Sequence, residues 1–450
     1  MNSRLTNKLP ALCLLFFVQF FVSCQKEISD SMERNSSSTN PPAGRGQITF
    51  QKTYGGTDDE YIGNVQQTND SGYVIIGTTR SYGVGDEDIY VVKVNVQGNI
   101  QWTKTYGTAD MEGGSNIKQT KDGGYILSGA GDLENYILVK IDAGGNEQWH
   151  KNYGYFGGVN FDVQLTDDGG YIIVGSDNQT GYSGSTNTLC IKTDENGNIV
   201  WCKDYSVGGG VCIAKTTDGG YAIVGKYDFG YAGSGTQLIK LDAHGNLLWS
   251  KAYGGLSTST PLSMKRTTDG GFIITGMAFY GSANAWDVYV IKTDALGNEI
   301  WLKTYGGTDF DGAWEIEETI DGGYIFSGIT GRYGEGHVLV IKTDSSGKVT
   351  WNKTFGGGKE PLSYVHQTND TGFIIASQTS AFGAGSNDIY LIKTDNNCNA
   401  GCYENSINLN VTAPASLERN PLVQTSIGSI WFSSVFKTET GGTETTLCHN

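Results

Sequence analysis

The sequence predicts an all-β protein in which one four-stranded unit of about 50 residues is repeated seven times. Two features of the composition support this fold class. Glycine supplies 65 of the 450 residues, which disfavours helices because each glycine in a helix interior costs about 0.8–1 kcal/mol. Aromatic residues make up 11% of the chain and charged residues only 17%, so the chain can build a core and is not disordered throughout.

The repeat is marked by a turn of the type Asp-Gly-Gly followed by an aromatic residue. Its aspartates are Asp70, Asp122, Asp168, Asp218, Asp269, Asp321 and Asp370. A β-branched run such as YVIIG follows each turn and predicts a strand. A variable loop leads to a second strand of the type DVYVIKT, and an Asp-x-x-Gly turn then leads to a third strand near a tryptophan. The fourth strand of the unit precedes the Asp-Gly-Gly turn.

A single sheet of this kind has two apolar faces and cannot bury both. Sheets stacked around an axis bury both faces, which predicts a β-propeller of seven four-stranded antiparallel blades. Only six tryptophan-led strands follow the seven hairpins, at Trp102, Trp149, Trp201, Trp249, Trp301 and Trp351. The seventh outer strand stands at the front, at 48–54, with Phe50 in the tryptophan position. We predict that this strand completes the last blade and closes a ring over residues 48–395.

Residues 1–23 are typical of a secretory signal peptide. Arg4 and Lys8 precede an apolar stretch of about a dozen residues, which is too short to cross a bilayer comfortably. The stretch ends in FVSC, which resembles the bacterial lipobox and implies cleavage before Cys24 and lipidation of that cysteine. An ordinary signal peptide with an incidental cysteine is the alternative. Residues 24–47 are rich in Ser, Asn and Pro and are predicted to form a flexible tether.

Two resemblances suggest where such a protein works. The sequence QKE after Cys24 is similar to an export signal of Bacteroidota lipoproteins, which implies an outer-membrane protein that faces the cell exterior. The stretch DIYVVKVNVQGNIQWTKTYGTADMEGG resembles the seven-bladed β-propeller repeat family of bacterial secreted and surface proteins. This second resemblance covers about 48–395 and implies a lectin-like or endoglucanase-like protein.

The Asp-x-x-Gly-x-x-x-Trp turn is similar to the tryptophan-docking turn of quinoprotein propellers and to the Asp-box of sialidases. It is one residue shorter than the quinoprotein turn, and it lacks the Ser-x-Asp-x-Gly-x-Thr order of the Asp-box. We therefore expect no cofactor.

Charge and histidine content exclude further classes. The formal net charge is −16 and no basic stripe is present, so nucleic acid would be repelled. The five histidines are scattered, without the spacing of a zinc site or a Ser-His-Asp triad. We expect a monomer that contacts the membrane through its lipid anchor and binds a polysaccharide or a surface protein.

The loops between the first and second strands carry an aromatic residue beside a small-residue turn in six units. These aromatic residues are Tyr82, Tyr182, Tyr231, Tyr280, Tyr333 and Phe382, and Trp286 lies close to one of them in sequence. The loops share one face of a propeller, where exposed rings would stack on sugars. The alternative is that each ring packs on the neighbouring blade.

Carboxylates suggest two weaker sites. Asp58, Asp309 and Asp311 lie in acidic loops and offer oxygen ligands for Ca²⁺, but none of these loops has the length or ligand count of an EF-hand, and we favour solvated acidic turns. Glu315, Glu317 and Glu318 lie on the innermost strand of the sixth unit, with Asp162 on that of the third. Such a pair hydrolyses a glycosidic bond only if it flanks the bond at about 5–9.5 Å. We assign no catalytic residue.

The cysteines and the tail leave alternatives open. Cys190 and Cys202 form either a cross-strand disulfide or two buried thiols. The tail, 396–450, is predicted to be irregular and to add a strand or two. The function expected is a non-catalytic binding or scaffold module with a glycan as ligand. A glycoside-active enzyme and a purely structural protein-interaction scaffold are the alternatives.

Overall fold

A computed structural model describes residues 47–131, 135–155, 162–177, 187–206, 208–228, 233–254, 258–279, 286–331, 336–358, 360–414, 418–420 and 425–427. These residues form 31 strands and their turns, without a helix. Within the same ranges there is accordingly no helix of the length and apolarity that crossing a membrane requires.

The strands form seven antiparallel sheets, which we call blades 1 to 7. The first strand, β1 (Phe50–Tyr54), belongs to the last blade. Blade 1 contains β2 (Glu60–Gln67), β3 (Tyr73–Thr79), β4 (Asp88–Val94) and β5 (Ile100–Tyr106). Blade 2 contains β6 (Gly113–Gln119), β7 (Tyr125–Gly131), β8 (Asn135–Ile141) and β9 (Glu147–Tyr155). Blade 3 contains β10 (Asp162–Leu165), β11 (Tyr171–Asp177), β12 (Asn187–Thr193) and β13 (Ile199–Tyr205).

The remaining blades repeat this order. Blade 4 contains β14 (Gly210–Lys215), β15 (Tyr221–Asp228), β16 (Ser234–Leu241) and β17 (Leu247–Gly254). Blade 5 contains β18 (Thr258–Arg266), β19 (Phe272–Phe279), β20 (Trp286–Thr293) and β21 (Glu299–Gly306). Blade 6 contains β22 (Phe310–Glu318), β23 (Tyr324–Gly331), β24 (His337–Thr343) and β25 (Val349–Phe355). Blade 7 contains β26 (Ser363–Gln367), β27 (Phe373–Thr379), β28 (Asp388–Thr394) and β1.

The core of the described chain consists of seven apolar clusters, and each cluster lies between two neighbouring blades. Between blades 3 and 4, for example, Ile172 and Val174 pack against Ile213 and Ile223. Both faces of every sheet are therefore buried, as the apolar runs in the sequence predict. Seven clusters for seven blades require a closed ring.

A repeated aromatic contact joins neighbouring blades at six of the seven interfaces; between blades 6 and 7, Phe355 takes the place of the tyrosine and Cys398 that of the glycine. The Tyr205 hydroxyl of blade 3 donates a hydrogen bond to the carbonyl of Gly245 in blade 4, at 2.7 Å. Gly245 has φ of 73°, and a Cβ there would lie 2.8 Å from the Trp201 ring, so this turn needs glycine. The same tyrosine-to-glycine bond is made by Tyr54, Tyr106, Tyr153, Tyr253 and Tyr305. The repeated tryptophans and tyrosines are thus structural.

The ring closes through the front strand. β1 pairs antiparallel with β28, with Phe50 opposite Lys393 and Tyr54 opposite Ile389. Phe50 and Tyr54 are buried in the cluster that blade 7 shares with blade 1. The predicted seven-bladed fold is confirmed, and its front strand lies where the count of tryptophan-led strands places it.

The described part of the tail adds strands to the outer edges of four blades, and we call it the strap. β29 (Glu404–Asn405) pairs with β25 of blade 6, and β30 (Asn410–Thr412) pairs with β21 of blade 5. A single bridge joins Arg419 to Ala252 of blade 4. Finally, β31 (Thr425–Ile427) pairs with β13 of blade 3. The strap thus adds three short strands and a bridge, where one or two strands were expected.

The cysteine pair has the second of the two predicted arrangements. Cys190 and Cys202 are buried thiols that form no disulfide among the described residues. Cys202 lies opposite Ile191 rather than Cys190, and this offset of one residue sends the two side chains to opposite faces of the sheet. Cys190 packs towards blade 4 and Cys202 towards blade 2. The disulfide alternative is therefore wrong, and burial raises the pKa of the Cys190 thiol well above its usual value.

Candidate functional site

Three of the seven aromatic residues predicted to bind sugars are among the described residues. Tyr182, Tyr231, Tyr280 and Tyr333 lie outside the described residues. Tyr82 is 46% exposed, but its ring lies 5.7 Å from Tyr90 and its hydroxyl donates to the carbonyl of Gly55. Phe382 packs between two tyrosine rings at 5.8 and 4.8 Å, and Trp286 lies 6.0 Å from the Phe279 ring. Each of these three described rings is therefore held against another ring.

The acidic loops have a structural task. Asp311 is buried and accepts a hydrogen bond from the Gly307 amide at 2.8 Å, whereas Asp58 and Asp309 are exposed. Glu60, Glu112 and Glu360 hold the corresponding loops of other blades in the same way. Over the ranges that the structure describes, no group of three or more His, Cys, Asp or Glu side chains could hold a metal ion.

Asp311 should make stability depend on pH. Burial raises its pKa to about 6, so the folded protein binds more protons than the unfolded chain between about pH 4 and 6. Its contribution to stability therefore falls as pH rises through this window. We expect Asp311→Asn, whose amide oxygen can still accept from Gly307, to be more stable than the parent by about 1–2 kcal/mol at pH 7.5.

Urea unfolding at pH 5 and pH 7.5 measures the difference in free energy of unfolding between Asp311→Asn and the parent. The gain should be smaller at pH 5, where the parent's carboxyl is largely protonated. Equal differences at both pH values would contradict the assignment.

The innermost strands line a channel along the axis of the ring. In five of them (β2, β6, β14, β18 and β22) the register shifts by one residue. A β-bulge turns two successive side chains to the same side, and such bulges often re-aim side chains beside a binding site. The bulge residues and the residues after them line a cavity of about 270 Å³. Seven polar positions, one per blade, form what we call the channel ring: Asn64, Asn116, Asp162, Cys212, Ser263, Glu315 and Tyr364.

Asp162 is the best-supported side chain of the channel ring. One carboxylate oxygen accepts from the Asn116 amide of blade 2 at 2.8 Å. The other accepts from the Ile213 backbone amide of blade 4 at 3.0 Å and from the Cys212 thiol at 3.2 Å. Neutral donors from two neighbouring blades thus hold this buried carboxylate in place.

An ion pair occupies the opposite side of the channel. The Lys265 ammonium of blade 5 contacts the Glu315 carboxylate of blade 6. Burial by itself would raise the pKa of Glu315, but Lys265 outweighs it and lowers the pKa. Burial would likewise lower the pKa of Lys265, but Glu315 and its neighbours raise it. Both groups are therefore charged at neutral pH.

The three glutamates considered for catalysis all have partners. Glu315 pairs with Lys265, and Glu317 contacts the His366 ring at 3.1 Å. Glu318 accepts hydrogen bonds from Thr268. A glycosidase needs one carboxyl group whose pKa is raised so that it stays protonated as the general acid. The lowered pKa of Glu315 is the reverse of that requirement.

Apart from the Glu315 oxygen that lies in the ion pair with Lys265, two buried polar atoms at the cavity have no hydrogen-bond partner among the described residues. They are the amide oxygen of Asn116, a residue 9% exposed, and the hydroxyl of Ser263, which is 2% exposed. Leaving such an atom unpaired costs about 1–3 kcal/mol. Water or a polar ligand in the cavity would satisfy both atoms.

The channel ring, apart from its carboxylates, was missed from the sequence. One signal could have found it. The residue five positions before each turn aspartate is apolar in every blade, whereas the residue just before it is polar or cysteine and changes from blade to blade.

Solved structures resemble this chain at low similarity. A Bacteroides caccae protein of unknown function is 15% identical with a TM-score of 0.38, over 62% of this chain and 92% of that one. The Dos1 propeller is 12% identical with a TM-score of 0.45, over 74% and 77%. Chaetomium thermophilum Sqt1, solved with the N-terminus of ribosomal protein L10, is 13% identical with a TM-score of 0.43, over 72% and 84%.

No family model and no curated protein matches the chain. The strand topology itself therefore identifies the fold, a seven-bladed β-propeller, which is compatible with a binding or scaffold role.

Proposed function

We propose that this protein is a lipid-anchored, non-catalytic binding module that takes a hydroxyl-rich ligand, a glycan in the first instance, into its central channel. One observation supports this above all. The repeat keeps the same residue types where blades pack, yet the channel ring contains six residue types in seven positions. A ring that served packing alone would have no need for this variety.

The unpartnered atoms support a ligand rich in hydroxyl groups. The Asn116 amide oxygen can only accept a hydrogen bond, and the Ser263 hydroxyl can donate or accept. A sugar hydroxyl satisfies either one. Small-molecule sites commonly combine a concave pocket with a few such polar groups.

The absence of catalysis in this proposal follows from the carboxylates. Neutral donors hold the Asp162 carboxylate, and the Lys265 ammonium holds the Glu315 carboxylate. Neither group is therefore placed to act as the general acid of a glycosidase. The glycoside-active alternative therefore has less support than binding. In a scaffold that uses its surface alone, these two atoms would bind only water, whereas a channel ligand would replace that water with its own hydroxyls.

The anchor belongs to the same proposal. We expect lipid on Cys24, residence in the outer membrane facing outwards, and no nucleic-acid partner. Cys24 lies outside the described residues, and the lipobox resemblance supports its role. Mass spectrometry of the purified protein should find acyl chains on Cys24, and Cys24→Ser should move the protein from the membrane fraction to the soluble one. A soluble parent protein would contradict the anchor.

The channel is tested with the full chain carrying Cys24→Ser. We expect a glycan-array screen to give hits, and calorimetry on the best hit to show at least a tenfold loss of affinity in Asn116→Leu. Tyr82→Ala, on the loop face, is the matched control and should bind like the parent. Loss in Tyr82→Ala but not in Asn116→Leu would move the site to the loops. Release of a shorter sugar from the hit would restore the enzyme alternative.

A further inference from the structure

We infer that the channel ligand carries an anionic group, a carboxylate in the first instance, which Lys118 receives. This inference rests on the proposed channel site. Lys118 lies on β6, two residues after Asn116 of the channel ring, and interacts electrostatically with Asp162, Glu315 and Lys265. Lys118 lies opposite Ile126 as Lys265, which lines the cavity, lies opposite Ile273, so the two lysines occupy the same position in blades 2 and 5.

Lys118 differs from the buried lysines of the repeat in its lack of a contacting carboxylate among the described residues. The repeat has a nearly buried lysine in every blade, and each of these seven contacts the aspartate of its turn. In the channel, Lys265 has Glu315 and His366 has Glu317. Lys118 makes no ion pair or hydrogen bond with any residue that the structure describes.

Asp162 makes no ion-pair contact with Lys118 in the described structure, although its charge acts on Lys118 and raises the pKa of that lysine. Its two oxygens already accept from Asn116, from Cys212 and from the Ile213 amide. Burial and, after it, the charge of Lys265 lower the pKa of Lys118 by more than Asp162, Glu315 and Cys212 raise it. An anion that entered the channel would relieve both effects, since it would give the ammonium the partner that the protein does not supply.

The neighbouring polar atoms restrict the rest of the ligand. The Asn116 oxygen requires a donor within reach of the same cavity, and Ser263 offers a second contact. A molecule with one carboxylate and several hydroxyls meets these requirements together. Uronic acids at the end of a glycan and free sugar acids share this chemistry.

Calorimetry with three probes tests the inference on the full chain with Cys24→Ser. Glucuronate should bind at least tenfold more tightly than glucose, and acetate, which lacks hydroxyls, should bind weakly. Lys118→Met should remove the preference for glucuronate, whereas Lys118→Arg should retain it. Lys121→Met, a change at an exposed lysine of the adjacent turn, is the matched control. A polymer of glucuronate that binds more tightly than the free acid would favour the glycan source over the free one.

The outcomes separate this inference from the proposed function. Glucose that binds as well as glucuronate, with both lost in Asn116→Leu, overturns the anionic group and keeps the channel. Glucuronate that binds equally to Lys118→Met and to the parent has the same meaning. No binding of either sugar to the parent, while the glycan array gives hits, would overturn the anionic group alone, and an array without hits would overturn both ideas. A melting curve for each variant shows that it is folded.

A different observation carries a second inference, about the outer edge of blade 2. The strap advances seven residues per blade. Glu404 lies opposite Phe355 of blade 6, and Val411 lies opposite Tyr305 of blade 5. Thr425, fourteen residues further, lies opposite Tyr205 of blade 3, two blades on. The bridge at Arg419 fits the same step in blade 4, because it places residue 418 opposite Tyr253.

We propose that the next step places residues 431–434 along β9 of blade 2, with Phe432 opposite Tyr153. These residues are outside the described ranges, and the segment IWFSSVF at 430–436 has the aromatic and β-branched residues that favour strands. Among the described residues nothing pairs with the outer side of β9. An open edge of this kind accepts an added strand.

Disulfide trapping tests this register. Thr304 and Thr412 face each other across β21 and β30, so the pair Thr304→Cys and Thr412→Cys is the positive control. One blade step is seven residues, so the equivalent pair in blade 2 is Asn152→Cys with Ser433→Cys. Both pairs should cross-link under mild oxidation when Cys402 and Cys448 are serine. A control pair that cross-links while the blade 2 pair does not would overturn the proposal, as would equal cross-linking of Asn152→Cys with Lys437→Cys.

Discussion

A chain that lacks residues 47–54 should fail to form a stable propeller. β1 supplies the outer strand of blade 7, and its loss exposes the edge of β28 and opens the cluster between blades 7 and 1. Phe50 is 3% exposed and Tyr54 is 5% exposed, and removing a buried aromatic side chain costs about 3–5 kcal/mol. Two such losses match the whole stability of an ordinary domain, about 5–15 kcal/mol. Circular dichroism melting and size-exclusion chromatography measure the effect.

Single substitutions at Phe50 give a finer test. Phe50 occupies the position of the tryptophans, and its ring lies against Gly98 as Trp201 lies against Gly245. We expect Phe50→Trp to melt near the parent and Phe50→Ala to lose about 3–5 kcal/mol. If the truncated chain melted at the parent temperature, the ring would not depend on its front strand. Equal effects of Trp and Ala would show that the position is not equivalent to the tryptophan sites.

Replacing Asp168 should destabilise the protein more than replacing Lys192, although the two form one ion pair. The Lys192 ammonium lies 2.9 Å from the Asp168 carboxylate and donates a hydrogen bond to the carbonyl of the next residue, Thr193, at 2.8 Å. The Lys192 side chain is 4% exposed. The Asp168 side chain is 64% exposed. Removing the aspartate leaves a nearly buried ammonium with one partner fewer, whereas removing the lysine leaves a carboxylate that water can reach.

We expect Asp168→Ala to cost about 2–3 kcal/mol and Lys192→Met about 1 kcal/mol, with solvent screening at the exposed carboxylate limiting both values. Urea unfolding at neutral pH measures the two differences. Asp167→Ala, at an exposed neighbour in the same turn, is the control and should change stability little. A larger loss for Lys192→Met than for Asp168→Ala would contradict the argument.

The same pair predicts acid sensitivity. Burial by itself would raise the pKa of Asp168, but hydrogen bonds from Thr166 and Lys192 outweigh it and lower the pKa to about 2. A lowered folded pKa means that the contribution is complete above about pH 4 and is lost as pH falls towards 2. Asp122, Asp218 and Asp269 behave alike, each with a pKa of about 2. Asp168→Ala should therefore show a smaller loss of stability than the parent between pH 5 and pH 2.5.

The sequence was enough to predict the ring, because the blade contacts use the same residues each time. Phe50 could be placed because six tryptophans left one blade without an outer strand. The lysine-to-aspartate pairs were not predicted, although both residues recur in every unit. The hairpin brings together side chains that are 18 to 24 positions apart in sequence, and the sequence does not reveal the strand register that pairs them. The Cys190 and Cys202 disulfide failed for the same reason, a difference of one residue in register.

The candidate site was harder to predict because it is formed by strands from every blade. Asp162 was noticed as a carboxylate, but its donors Asn116 and Ile213 come from blades 2 and 4. The bulges that turn side chains into the channel have no signature in a single sequence. Aromatic residues beside glycine in the loops predicted exposed rings for sugar binding, yet the described loop rings pack against other aromatic rings.

The tyrosine-to-glycine bond between blades has a consequence for how this protein can change. Because six of the seven interfaces share this bond at the outer strands, a substitution in the channel ring leaves those six bonds intact. The blade interfaces and the channel ring can therefore evolve at different rates, and a new binding specificity requires only a few substitutions in the channel ring. In protein engineering, channel-ring residues could be exchanged between blades while the outer strands are kept unchanged.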